Sequence, residues 1–95
     1  MVTKASIDRY VVDVLVRDLV GHDGRPAAYI LYLYVLTRPQ RRVQLSLASL
    51  ASGTGLSKRA VQLSVAWLED RSLLEVVRTG PTAIPTYRAL RPWRR

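Results

Sequence analysis

The sequence of 95 residues contains no cysteine and a single histidine. Without cysteine there is no disulfide framework and no cysteine-ligated zinc site, as is typical of proteins in the reducing cytosol. The longest apolar run, residues 27–36, is about half of the roughly twenty residues that cross a bilayer. The first ten residues also lack the basic, apolar and small segments of a secretion signal. We therefore expect a cytoplasmic protein without a membrane partner.

Acidic residues are scarce as well, with seven Asp and Glu against fifteen Lys and Arg and a formal net charge of +8. The excess is uneven, because residues 1–23 sum to −1 and residues 24–95 sum to +9. Arginine outnumbers lysine thirteen to two, which favours bidentate contacts to phosphate and guanine. Such a surface suits a polyanionic partner, although charge alone does not distinguish it from an ordinary basic surface.

The residues that catalysis or metal binding would need are not grouped. Glu69 and Asp70 are consecutive and would point about 100° apart on a helix. His22 lies beside Asp23 in a predicted turn, where a surface role is favoured over a catalytic base. The stretch 53–58 lacks the glycine spacing of a phosphate-binding loop. We expect no enzyme activity, no metal and no cofactor.

The apolar pattern predicts two helices in the first 40 residues. Residues 6–20 have helical spacing, and Gly21 is a plausible stop. The apolar stripe of this N-terminal helix is wide, so packing within the monomer and a dimer interface both remain open. Residues 26–37 are apolar on nearly every side and predict a central buried helix that begins at Pro26 and ends before Pro39.

Residues 46–74 predict two helices joined by a tight turn. Ser46 is expected to cap a short helix over 47–52, and glycines within 53–55 make the turn. Ser57 is expected to cap the second helix. The buried side of that helix is predicted to carry Ala60, Val61, Ser64, Val65 and Leu68, opposite Arg59, Gln62, Leu63 and Ala66.

Three short strands complete the prediction. Residues 43–45 can form one strand before the first of these two helices. Residues 74–78 and 86–90 read as a hairpin around the loop 79–85. A hairpin directly after the second helix of a helix-turn-helix is a wing.

The stretch LASLASGTGLSKRAVQLSVAWLEDRSLL, residues 47–74, resembles the winged helix-turn-helix family of bacterial DNA-binding proteins. It is similar to the small domains of replication initiators and of MarR-like and GntR-like regulators, over about residues 26–90. The resemblance implies a mainly α fold with a small β-hairpin wing (α+β), preceded by an extra N-terminal helix. We accordingly divide the chain into a possible dimerisation element, 1–23, and a DNA-binding domain, 24–95. Ser72 stands where the family usually has glycine.

The resemblance also implies binding to double-stranded DNA, as a transcriptional regulator or a replication or partition factor. The helix 57–71 would enter the major groove, and the wing 76–90 would contact the flanking backbone. Gln62 can pair with adenine, Arg59 with guanine or phosphate, and Leu63 with a thymine methyl. The residues carried over are Ser57, Lys58, Arg59, Gln62 and Leu63 on the helix, Ser46 and Ser49 near phosphates, Arg78, Thr82 and Arg88 in the wing, and Arg41 and Arg42 in the connector.

An alternative is a protein-interaction module, in which Leu63, Trp67 and the N-terminal helix face another polypeptide. The placement of charge distinguishes the two, since a DNA surface should bring the predicted arginines and Lys58 together. For the DNA-binding reading we expect a homodimer through the N-terminal helix.

Overall fold

The computed structural model describes residues 6–94; residues 1–5 and 95, which belong to the predicted N-terminal segment and basic tail, lie outside it. The predicted N-terminal helix is present and is largely π-helical, with segments Val11–Leu15 and Arg17–His22. Its π-type hydrogen bonds include one of 2.8 Å from the Asp23 N–H to the Asp18 carbonyl. Gly21 does not end the helix, which continues through His22, because the nearby glycine with a left-handed φ is Gly24, at +62°.

The second helix, α1, spans Pro26–Leu36, one residue shorter than predicted. Proline suits its first position because the missing N–H has no partner there in any helix. Thr37 closes the last turn, with its hydroxyl donating to the Leu33 carbonyl at 2.8 Å. The helix is central but not buried on every side, since Ile30 is 43% exposed.

Helices α2, Leu47–Thr54, and α3, Lys58–Asp70, form the helix-turn-helix. α2 runs two residues beyond its predicted end, so Gly53 lies within the helix and is not part of the turn. Of the two glycines predicted in the turn, Gly55 takes a left-handed φ, +78°, and its N–H donates to the Ala51 carbonyl. Gly53 has a packing role instead, because a Cβ there would stand 2.6 Å from Cζ of Tyr34.

The three strands form one antiparallel sheet in the order β1, β3, β2, with β1 at Val43–Gln44, β2 at Leu74–Val77 and β3 at Thr86–Ala89. Tyr87 pairs with Val43 on one side and Val76 on the other, and its ring is buried against the helices. β2 and β3 are each one residue shorter than predicted and form the wing hairpin. β1, predicted as 43–45, adds the third strand.

One hydrophobic core joins all of these elements. Val11, Leu15 and Leu19 of the N-terminal helix belong to the same buried cluster as Leu31 and Leu68, so this helix packs within the monomer. Burying one such leucine stabilises the fold by about 1.5–3 kcal/mol. Two tyrosine hydroxyls of α1 fasten the core to other segments: Tyr29 donates to the Val11 carbonyl at 3.0 Å and Tyr32 to the Leu90 carbonyl at 2.7 Å.

The arrangement is a winged helix-turn-helix preceded by an extra helix, as predicted. Ser72, in the turn between α3 and β2, has a φ of +57°. It therefore adopts the left-handed conformation that glycine would adopt at no steric cost. Within residues 6–94, no helix is both long and apolar enough to cross a membrane.

Candidate nucleic-acid interface

The start of α3 has one buried side and one exposed, mostly polar side, because apolar residues recur at helical spacing. Ser57 caps the helix, and its hydroxyl accepts the Ala60 N–H at 3.0 Å. Val61, Ser64, Val65 and Leu68 are buried, as predicted, and Ala60 is half-buried. The opposite side is exposed and carries Lys58, Arg59, Gln62, Leu63 and Ala66. The structure thus brings the five predicted recognition-helix residues, Ser57 included, onto the accessible part of one helix.

α2 supplies two hydroxyls at its own start. The Ser46 hydroxyl caps the helix by accepting the Ser49 N–H at 3.1 Å, and it donates to the Ser49 hydroxyl at 3.0 Å. Ser46 is half-buried and Ser49 is exposed. The Ser49 hydroxyl can therefore donate outward while Ser46 holds the helix end, and the partial positive charge of that end favours an anion nearby.

The wing carries little free positive charge. Arg78, at its base, pairs with Glu69 of α3 through two contacts of 3.2 and 3.4 Å, which raise the pKa of the guanidinium. The loop 79–85 has no charged residue. Thr82 is exposed, as are Val77 at 46% and Ile84 at 50%. The wing tip is consequently neutral and partly apolar.

Two arginines share one carboxylate on the outer face of the sheet. Arg88 donates from Nε and one terminal nitrogen to both carboxylate oxygens of Glu75, each at 3.0 Å. Arg42 approaches the same carboxylate, with Nε 3.8 Å from Oε1. The hydrogen bond from Arg88, followed by the charges of both arginines, lowers the pKa of Glu75. Arg42 and Arg88 are therefore partly neutralised within the fold.

The twelve predicted contact residues do not all share one surface. Arg41 and Arg88 line a groove beside Ser72, at the carboxyl end of α3. Lys58 and Arg59 lie at the amino end of this 13-residue helix, about 20 Å away along its axis. The structure therefore separates the predicted residues into a recognition group on α2 and α3, an arginine group near the sheet, and Thr82 in the wing loop. The predicted arginines of the connector and wing and Lys58 do not form the single surface that was expected of a DNA-binding face.

Three arginine contacts were not foreseen from the sequence. Arg25 stacks on the ring of Trp67, with 4.6 Å from Cζ to the ring centroid, and so covers one face of the ring. Arg38 stacks on Tyr34 at 3.9 Å. Arg71 pairs with Asp23, a contact that joins the end of α3 to the end of the N-terminal helix. Because Arg71 and Asp23 lie 48 positions apart in the sequence, no local sequence pattern predicts this contact.

Side chains that could ligate a metal ion lie apart in the described part of the chain. No group of three or more His, Cys, Asp or Glu side chains lies close enough together to hold a metal ion. His22 Nδ1 lies 3.0 Å from Asp23 Oδ1, and that carboxylate also holds Arg71. The hydrogen bond with His22 and the charge of Arg71 lower the pKa of Asp23. The pair fastens a turn at the surface.

Comparisons with known proteins agree with the fold. No protein-family model matches the sequence, and no curated protein matches it. Among solved structures, the chain is similar to the crystal structure of AntR, an antimony-specific transcriptional repressor. The two share 20% identity and a TM-score of 0.55, over 95% of this chain and 84% of that one. At this identity the likeness establishes the architecture.

Proposed function

We propose that this chain binds double-stranded DNA through α3, as a transcriptional regulator or a replication or partition factor. One observation carries the proposal: the Ser57-capped start of α3 is exposed, basic and polar, and the other side of the same helix is buried in the core. The fold holds such a helix rigidly, which base recognition requires. The likeness to AntR, itself a transcriptional repressor, supports this class of function.

Each exposed side chain at the start of α3 has a role in this proposal. Arg59 reads guanine or holds a phosphate, Gln62 reads adenine and Leu63 contacts a thymine methyl. Lys58 and the helix start hold the backbone, with the Ser46 and Ser49 hydroxyls beside phosphates at the start of α2. The rest of the predicted helix, 57–71, turns acidic at Glu69 and Asp70, so the reading part is its first half.

The wing, 76–90, would contact the flanking backbone through neutral groups. Thr82 and the backbone N–H groups of the loop are its donors, because the loop has no charge. Glu69 occupies part of the N–H donors of Arg78, and Glu75 occupies part of those of Arg42 and Arg88. These three arginines would therefore contact phosphates through their remaining N–H groups. Arg41 is exposed and would serve as a fourth backbone contact.

A homodimer through the N-terminal helix would make binding tighter. Tyr10, Val12 and Val20 on that helix, and Ile7 just before it, remain 38–54% exposed, although the other side of the helix packs in the core. Two copies would read half-sites about 10 base pairs apart, or a multiple of this distance. Light scattering of wild type and of Val12→Glu tests the dimer: a monomeric wild-type protein at high concentration would remove this part of the proposal. We place the protein at the nucleoid in the cytoplasm.

Fluorescence anisotropy with duplexes selected from a random pool tests DNA binding. Affinity should fall steeply between about 50 and 200 mM salt, because bound phosphates release counterions. Arg59→Ala should weaken binding by about 1–3 kcal/mol and relax the preference at one base pair. Arg9→Ala removes one charge away from α3 and is the control, with light scattering to show that its oligomeric state equals that of wild type; Arg9 is 90% exposed on the N-terminal helix. Equal affinity at both salt concentrations would contradict the proposal.

A second candidate is a protein-interaction module. Leu63, Val77 and Ile84 are each 46–50% exposed, and the wing arginines are paired internally. If no duplex from the pool binds and Leu63→Ser abolishes capture of a polypeptide partner, this candidate replaces the first.

A further inference from the structure

A groove of about 700 Å³ lies between the end of α1, the connector after it, β3 and the C-terminal tail. Its wall contains no acidic residue, and its floor includes Val35 and Leu36. The volume falls within the range of about 300–1,000 Å³ that is usual for small-molecule sites. Five arginines from three separate segments line it: Arg38, Arg41, Arg88, Arg91 and Arg94.

A short repeat in the sequence supplies four of these arginines. The pattern Arg-Pro-x-Arg-Arg occurs at residues 38–42 and again at 91–95. The first copy follows α1 and the second follows β3, yet both copies border the same groove, with Pro39 and Pro92 in its wall. Proline fixes φ and donates no hydrogen bond, so each copy leaves its helix or strand in a restricted direction. Two segments with the same Arg-Pro-x-Arg-Arg pattern, far apart in the sequence, therefore border the same groove.

Most of these guanidinium groups are held in position. Arg38 donates from Nε to the Tyr34 carbonyl at 2.8 Å and stacks on that tyrosine ring. Arg88 is fixed by Glu75, and Arg94 pairs with Asp8. Each uses only part of its five N–H donors. An anion that enters the groove would meet guanidinium groups already ordered, with a small loss of side-chain entropy.

The groove keeps an excess of positive charge. Two carboxylates, those of Asp8 and Glu75, contact Arg88, Arg91 and Arg94, while Arg41 is exposed to solvent. Two negative charges do not neutralise five positive ones. A concave site with this balance attracts a compact, multiply charged anion, and arginine suits phosphate because it binds two oxygens at once.

We propose that this groove binds a small molecule with two or more adjacent phosphate groups, of about the size of a nucleotide. The arginines hold the phosphates, and Val35, Leu36 and the two prolines contact the uncharged part of the ligand. A DNA duplex fits less well, because it presents its charges along a convex surface and not at one point. The groove also lies at the opposite end of α3 from Lys58, so a ligand there leaves the start of α3 free and competes with DNA only for Arg41 and Arg88.

Isothermal titration of the full chain with inorganic pyrophosphate and with ATP, without magnesium and at constant ionic strength, tests the proposal. Both should bind with one site per chain, and sulfate should bind much more weakly. Arg41→Glu should weaken binding about tenfold or more, as expected when an attraction between charged groups is lost and a repulsion added. Arg41 is exposed, so this change leaves the core intact.

Arg59→Glu is the matched control, because it changes charge equally at the other end of α3. It should leave pyrophosphate binding unchanged while reducing duplex binding, which separates this site from the proposed DNA surface. The proposal is overturned if neither pyrophosphate nor ATP binds, or if Arg59→Glu weakens them as much as Arg41→Glu does. If only duplex DNA binds and Arg41→Glu weakens it, the groove is a DNA-backbone contact.

Discussion

The indole N–H of Trp93 donates a hydrogen bond of 3.0 Å to a carboxylate oxygen of Asp8. This contact joins the C-terminal tail to the start of the N-terminal helix. The Trp93 ring also stacks on Tyr10 with 4.5 Å between centroids, and Arg94 pairs with the same carboxylate. The hydrogen bond from Trp93, followed by the contacts of Arg94 and Arg91, lowers the pKa of Asp8.

Stability should therefore fall in acid. The pKa values of Asp8, Asp23 and Glu75 are all lowered in the fold, from ordinary values of 3.8, 3.8 and 4.5. A carboxylate with a lowered pKa contributes its full stabilisation above the ordinary value. That contribution is lost as the pH falls through the folded-state pKa, because the protonated form no longer holds its arginine partners. Urea unfolding between pH 7 and pH 2 should show this decrease.

The variant Asp8→Asn measures how much of this loss of stability in acid is due to Asp8. The variant should be less stable than wild type at pH 7, and the difference should shrink toward pH 2. Asp13→Asn is the control, because the Asp13 carboxylate makes a long contact of 3.8 Å with the exposed Arg9, while its backbone carbonyl, which accepts from Arg17, is unchanged in the variant. A constant difference across the whole range would show that the charge of Asp8 does not stabilise the fold.

Gly53→Ala should destabilise the protein although alanine favours helices by about 1 kcal/mol over glycine. The added Cβ would lie 2.6 Å from Cζ and 2.9 Å from Cε1 of Tyr34, so the ring or α2 must move. Overpacking of this kind costs about 1–3 kcal/mol. Thermal unfolding of the single variants and of Gly53→Ala with Tyr34→Ala forms a double-mutant cycle. The cost of the added methyl should vanish without the ring; if it persists, contact with Tyr34 is not its cause.

Ser72→Gly should stabilise the protein. The left-handed conformation at φ +57° costs a serine about 1–2 kcal/mol, and glycine adopts it freely. Greater freedom of glycine in the unfolded chain opposes this by about 0.4–1 kcal/mol. We expect a net gain between zero and about 1.5 kcal/mol in chemical unfolding. Ser72→Ala should bring no such gain, and a loss of stability in the glycine variant would contradict the argument.

Ser57→Ala should lower the free energy of unfolding by about 1 kcal/mol, because the Ala60 N–H loses its acceptor. Ser52→Ala is the control: Ser52 is exposed within α2, away from its cap. Chemical unfolding of both variants measures the difference. Equal stability of the two would mean that the cap contributes nothing.

The local signals in the sequence predicted local structure well. Ser46 and Ser57 cap their helices and Pro26 begins α1, because each effect depends only on neighbouring residues. The glycines were harder to interpret. Gly53 was predicted in a turn but lies in a helix, since its small size serves contact with Tyr34, 19 positions earlier. Gly21 was predicted as a stop, but the conformation that ends the helix falls at Gly24.

The candidate surfaces also differ in how far the sequence predicts them. The exposed side of α3 follows from the 3.6-residue period, so its residues could be named from the sequence. The pairing of Arg88 with Glu75 depends on strand register, and Arg78 reaches Glu69 only because the hairpin folds back beside α3. The groove lined by arginines forms because residues 38 and 91 lie close together in the tertiary structure, and no local sequence pattern predicts that proximity.

The N-terminal helix is fastened at three points: Asp8 at its start, the Val11 carbonyl in its first turn and Asp23 at its end. Its partners lie in the tail, α1 and the turn after α3. A helix held in this way does not open alone, so its backbone amides should exchange with solvent only when the whole chain unfolds. The free energies of opening obtained from hydrogen exchange at Leu15 and Leu19 should then equal that at Leu68.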